Sequence, residues 1–383
     1  MKGKEEIMKF EQIYTFIVTL LSLIFAIPDF CLAKINEKAV WITTVYSLDW
    51  PKKKDEGLQK KELTDMLDKL EKHGFNRIYF QVRPRGDAFY ESENFSWSSF
   101  LTGELGKNPG YDPLKFMVDE CAKRKIVCEV WINPFLINSN KEVKFSVDNY
   151  MEKLPENSKL KGHKDWIMST DENYYLLNPG IPEIREMVAE ECEYISKTYK
   201  VAIHMDDYFY PYPSDVKFKD YDAKEYELYN ENNMSIDDWR RDNINKFVKL
   251  VSSKVRNQGQ TFGISPFGIW QNVNGTNGCS SYYDLYADSK LWLDEGWLDY
   301  VVPQIYWEIG HKRADFETLV KWWNDVNKSH KTKLLIGMAF YKFTSNTDEI
   351  KKQVDMLEKL DNVDGFAAFR YEHLNEIFEK GIM

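Results

Sequence analysis

The sequence predicts an α/β protein, a (β/α)8 barrel with long loops at the carboxyl-terminal ends of its strands. Three observations carry that expectation. Eight short runs rich in β-branched and aromatic residues alternate strictly with longer amphipathic runs, and eight such pairs imply parallel strands closing on themselves. The first strand is followed by Tyr46-Ser47-Leu48-Asp49-Trp50-Pro51 and not by a Gly-rich phosphate loop, which disfavours the competing doubly wound open sheet. The connections after the strands, above all residues 135–180 and 208–237, are much longer than those before them. Loops of that length are uncommon unless functional, so one working face is expected.

The expected strands span residues 39–45, 77–82, 127–133, 201–206, 261–266, 300–306, 333–339 and 365–370. The expected helices span 58–73, 113–125, 182–199, 238–258, 283–296, 316–328 and 348–360, with a short last one over 374–380. Asp112-Pro113 sets a capping side chain before a proline at the first helical position, and Pro182 occupies the same position in its helix. His73-Gly74 closes the first helix.

Ahead of these elements, Lys2, Lys4 and Lys9 precede an apolar run from Ile13 to Ile27, which ends at Pro28 and is followed by Cys31-Leu32-Ala33. This is the pattern of an export signal, cleaved before Lys34 or retained as an anchor, so residues 1–33 are read as a leader and 34–383 as one catalytic domain outside the cytoplasmic membrane. No membrane insertion beyond the leader is expected.

With 43% hydrophobic and 15% aromatic residues the chain is globular, not disordered, and a net charge of -10 without a basic block argues against a nucleic-acid partner. Beyond Cys31 the cysteines Cys121, Cys128, Cys192 and Cys279 match no zinc spacing and read as small buried hydrophobes, with one disulfide left open. A metal-dependent barrel hydrolase would want several histidines at strand ends. The chain has six histidines, and only His204 lies on an expected strand. Neither a metal site nor a cofactor is expected, and the sequence names no protein partner.

The most informative stretch is His204-Met205-Asp206-Asp207-Tyr208-Phe209-Tyr210-Pro211, two carboxylates at the carboxyl end of the fourth strand, where barrel enzymes keep catalytic groups. Strand alternation sends one carboxylate into the barrel mouth while the other supports it. Asp207 is assigned the role of acid and Asp206 that of its orienting partner, because burial beside Tyr208 and Tyr210 would keep a carboxyl protonated. Other strand ends carry Gln81 and Arg83, Trp131 and Asn133, Gln304, Tyr306 and Trp307, Tyr341, and Arg370 with Glu372. Each alone could be core filling, but their recurrence suits a sugar, which offers hydroxyls to polar groups and C–H faces to rings. Trp131, Trp270 and Trp307 are the candidates for stacking.

The segments Gln81-Val82-Arg83-Pro84, Asn108-Pro109-Gly110-Tyr111-Asp112-Pro113, Asn178-Pro179-Gly180-Ile181-Pro182, Asp206-Asp207-Tyr208-Phe209-Tyr210, Ser265-Pro266-Phe267-Gly268-Ile269-Trp270 and Pro303-Gln304-Ile305-Tyr306-Trp307 resemble the family-10-like glycosyl hydrolases. That group holds YngK-type secreted proteins and divisome-associated peptidoglycan glycosidases acting on strands stripped of peptides. The likeness runs from Glu37 to Phe378 and implies a barrel glycosidase with the double aspartate in its active site. The chain departs from the family pattern at Leu136 and Gln271, where an arginine is common.

The expected activity is therefore cleavage of a cell-wall polysaccharide, peptide-free peptidoglycan foremost, with Asp207 protonating the glycosidic oxygen. Glu372 or Asp206 would serve as nucleophile or base, Glu308 being a weaker candidate. Two other readings stay open. One is a non-catalytic glycan-binding barrel, and the other a glycosidase for a different exopolysaccharide.

Overall fold

The computed structural model describes residues 35–139, 144–273 and 275–381, so the leader expected over 1–33 lies outside the described residues. Eight parallel strands run β1 (Glu37–Ile42), β2 (Arg77–Arg83), β3 (Val127–Ile132), β4 (Ala202–Met205), β5 (Phe262–Ile264), β6 (Tyr300–Val301, resuming at Gln304–Ile305), β7 (Lys333–Met338) and β8 (Gly365–Ala368). Each pairs with the next, and β8 pairs back onto β1 with Ala39 opposite Ala367, which closes the barrel. The break in β6 falls at Val302-Pro303, where the proline has no N–H to give to the ladder.

The helices are α1 (Glu56–Lys72), α2 (Pro113–Lys123), α3 (Pro182–Tyr199), α4 (Ile236–Asn257), α5 (Ser289–Asp294), α6 (Phe316–Asn327), α7 (Thr347–Leu357) and α8 (Tyr371–Glu379). Asp112 caps α2 as its sequence suggests, accepting from the Lys115 amide at 3.0 Å. The helix expected over 283–296 is instead two pieces, Ser281–Asp284 and α5. Tyr286 between them has a left-handed φ of 55°, and Asp288 starts α5 afresh by accepting from the Leu291 amide. No helix among the described residues is long and apolar enough to cross a membrane. The four cysteines from Cys121 onward are free thiols, two of them buried.

Alternation along the strands separates two cores. Val40, Ile42, Ile78 and Phe80 face the helices, whereas Ala39, Trp41, Tyr79, Trp131, Tyr300, Leu335 and Ala367 fill the barrel. An interior so rich in rings needs positions without side chains. A Cβ on Gly263 would lie 2.2 Å from the Tyr300 ring, and one on Gly337 would lie 3.2 Å from Trp41. At the amino-terminal end of the strands Arg77 bridges Glu37, at 2.6 Å, and the fully buried Glu129.

At the other end lie the long loops. The segment after β3 folds into a small antiparallel sheet, Leu136–Asn138 with Tyr174–Leu177 and Ile167–Asp171, and the segment after β4 carries a helix, Ala223–Tyr229.

Candidate active site

Over the carboxyl-terminal ends of the strands opens a cavity of about 330 Å³. Its polar floor comes from Asp206, Ser265 and Gln304, and its walls from Trp41, Trp131, Tyr208, Tyr212, Phe267, Tyr306, Trp307, Tyr341 and Phe369, with Lys342 at the edge. The residues come from the ends of β1, β3, β4, β5, β6, β7 and β8, so no short stretch of sequence contains the site.

Asp206 follows β4 directly and points into the cavity, where its Oδ2 accepts from the Trp131 indole Nε1 at 3.0 Å. Asp207 turns away beneath the floor. It accepts from the Tyr212 hydroxyl and, at 3.2 Å, from Gln304 Nε2, which also donates to the Ser265 carbonyl at 2.8 Å. Both carboxyls are almost wholly shielded from solvent. Burial holds the Asp206 carboxyl well above the ordinary carboxylate range, and the neighbouring Asp207 charge pushes it further the same way. Burial also raises Asp207, but the Tyr212 and Gln304 donors favour its ionised form and stop the rise at about 6. The pair thus divides its protonation states, with an acid facing the cavity and a carboxylate behind it.

Below the floor His204 fixes the ring geometry. Its Nε2 accepts from Trp41 Nε1 at 3.2 Å and meets Ser265 Oγ at 3.1 Å, so the ring proton sits on Nδ1 and is donated to the Tyr300 hydroxyl at 3.0 Å. Burial drives the His204 pKa well below its usual value, keeping the ring neutral. Tyr79 stacks on it with centroids 4.0 Å apart. His204 is therefore part of the barrel filling under the site, holding two cavity-lining residues. No group of three or more His, Cys, Asp or Glu that could share a metal ion occurs among the described residues.

Of the residues singled out in the sequence, Asp206, Trp131, Tyr208, Gln304, Tyr306, Trp307 and Tyr341 meet in this cavity. The others lie elsewhere. Gln81 is buried, its Oε1 accepting from the backbone amides of Thr44 and Val45, and so holds the turn after β1. Arg83 would share the inner face with Gln81 by alternation, but a register shift between them swings it outward to stack on Phe95 and bond the Pro134 carbonyl. Asn133 is buried outside the cavity. Trp270 lies on the outer side of the barrel, stacked on Trp322 with its Nε1 bonded to Asp288 at 2.9 Å. Glu372 is half exposed and paired with Arg370, away from the cavity, and Glu308 is exposed.

The sequence reading passed over Trp41, Tyr212, Ser265, Phe267, Lys342 and Phe369 as site residues. Trp41 had a signal, since it stands on the inward phase near the end of β1. Tyr212 had none, because its approach to Asp207 depends on the path of an irregular loop.

A carboxyl kept in its acid form beneath a trough of aromatic rings, at the catalytic end of a closed barrel, sets the molecule among the barrel glycoside hydrolases. Comparison with known proteins narrows that class. The model of the family described as Glycosyl hydrolase-like 10 matches residues 36–355, and the chain belongs to this family. It is 38% identical to Glycosyl hydrolase YngK of Bacillus subtilis (strain 168), over 96% of this chain and 75% of that protein. It is 33% identical to Glycosyl hydrolase DigH of Escherichia coli (strain K12), over 88% of this chain and 84% of that one. Among solved structures, the Nostoc punctiforme debranching enzyme matches with a TM-score of 0.47 at 11% identity, over 89% of this chain and 72% of that one.

Proposed function

We propose that this glycoside hydrolase acts outside the cytoplasmic membrane on the glycan strands of a cell-wall polysaccharide, peptide-free peptidoglycan foremost, with Asp206 as its general acid. The observation that carries the reading is the buried Asp206 in the floor of an aromatic cavity, held by Trp131 and backed by Asp207, surroundings that favour its acid form. The basic and then apolar stretch ahead of Lys34 supports export, and a polymer is the substrate to be met there. Trp131, Trp307, Tyr208, Tyr306 and Tyr341 line the cavity and supply faces for sugar C–H groups.

In this mechanism the roles read from the sequence are exchanged. Asp206 gives its proton to the glycosidic oxygen as the bond to the anomeric carbon breaks, and the leaving sugar departs as an alcohol. The anomeric centre gains positive charge. The Asp207 carboxylate opposes it from just below, its own charge kept by the Tyr212 hydroxyl and the Gln304 amide. A water molecule then adds to the anomeric carbon and passes a proton to the Asp206 carboxylate, which restores the acid. Glu372, paired with Arg370, takes no part.

The test is the release of reducing ends and soluble fragments from peptide-stripped peptidoglycan by the purified protein, beside the same assay on a panel of other polysaccharides. Fragments from the peptidoglycan strands support the substrate. Cleavage confined to another polysaccharide refutes it and favours the exopolysaccharide reading.

A further inference from the structure

A second cavity, of about 140 Å³, opens on the same face, lined by Arg85, Asp87, Ser99, Asn138, Phe145 and Tyr150 among others. Its residues follow the carboxyl ends of β2 and β3, whereas the catalytic cavity draws on the ends of β1 and of β3 to β8. One polar atom of its lining has no hydrogen-bond partner, and one cation makes no ion pair among the described residues. Asp87 is 6% exposed; one of its carboxylate oxygens accepts from the Ser98 hydroxyl, and Oδ1 is buried with no hydrogen-bond partner. An unused buried acceptor costs free energy unless something arrives to use it. The Arg85 guanidinium lies over the rings of Tyr46, at 4.8 Å, and Phe100, at 5.5 Å, and makes no ion pair among the described residues.

Beside the lining, Tyr46 packs against Arg85. Tyr46 and Ser47 both hold a φ of 53°, a conformation that side chains other than glycine adopt at a cost, and the Tyr46 ring is 42% exposed there beside the guanidinium. Gly86 forms part of the wall because a Cβ at that position would lie 2.7 Å from the Tyr150 hydroxyl, which donates to the Gly86 carbonyl at 3.0 Å. An unused acceptor and a guanidinium without an ion pair flank a space of about 140 Å³, with an exposed ring beside them.

We propose that this second cavity is a remote subsite which binds one sugar residue of the glycan chain whose scissile bond lies over Asp206. Sugar hydroxyls donate to the Asp87 carboxylate and accept from Arg85, and the Tyr46 ring beside the cavity packs against the sugar's C–H face. The inference rests on the proposed glycan substrate and deepens it, because a subsite outside the catalytic cavity selects long chains over short ones.

The experiment compares the wild-type protein with Arg85→Ala and Tyr46→Ala on peptide-free peptidoglycan strands fractionated by length. Both variants should lose about tenfold in kcat/KM on long strands, mainly through KM, and should match the wild type on the shortest oligosaccharide it cleaves. Unchanged kinetics on long strands, or an equal loss on long and short ones, overturns the subsite. If the wild type cleaves no strand of any length, the substrate reading fails. Calorimetric binding of the long strands to wild type and Arg85→Ala then tests the subsite alone, weaker binding by the variant sustaining it and equal affinity overturning it.

Discussion

Asp206 and Asp207 are chemically identical neighbours, and their different surroundings give them different work. Activity in the proposed mechanism needs Asp207 ionised and Asp206 protonated, so the sign of the pH dependence follows. Raising the pH through about 6 ionises Asp207 and should increase kcat/KM, and higher pH, where Asp206 loses its proton, should decrease it again. Tyr212→Phe removes a donor that favours the Asp207 carboxylate, so the acidic limb of a pH–rate profile should move to higher pH. A limb that stays in place or moves down would contradict the role given to that bond. The location of the double aspartate was legible in the sequence, because its strand and its position at the strand's end both were. The division of labour was not, since alternation says that neighbouring residues diverge without saying which one enters the cavity.

Among the elements, regular periodicity was the readable part. All eight strands and the order of the helices follow from alternation and amphipathic spacing, and the cap at Asp112 and the first-turn proline at Pro182 stand where the sequence sets them. Departures from regularity were hidden. The shift in β2 that turns Arg83 outward and the break at Tyr286 that splits a helix are local backbone events settled by tertiary packing. The closing seam illustrates how little room such packing leaves. A Cβ on Gly365 would lie 2.0 Å from the Glu37 carbonyl oxygen, a backbone atom that cannot rotate aside. Gly365→Ala should therefore destabilise the protein by about 3 kcal/mol, measured by denaturant unfolding. A loss below about 0.5 kcal/mol would mean that β1 and β8 are not held as closely as described.

Over the whole molecule the barrel separates stability from chemistry by its two ends. Arg77, Glu37 and Glu129 form an ionic cluster at the amino-terminal end of the strands, remote from the cavity. Burial raises the Glu129 carboxyl to about 7 in spite of Arg77, so the carboxylate depends on its partner. Arg77→Met leaves that group without compensation and should cost about 3 kcal/mol of stability, with kcat/KM unchanged well below the melting temperature. An equal fall in activity at low temperature would show that the two ends are coupled. The one working face was readable from the contrast in loop lengths. Its second, smaller cavity was not, because Arg85 and Asp87 carry no periodic signal and face Asn138, Phe145 and Tyr150 only when the loops after β2 and β3 meet. The central claim is that Asp206 supplies the proton to the leaving group, and it is tested most directly by kcat/KM of Asp206→Asn on the natural glycan and on an aryl glycoside whose leaving group needs no proton. The account predicts a loss of about a thousandfold on the glycan and near wild-type cleavage of the aryl glycoside; equal losses on both, or none on either, would contradict it.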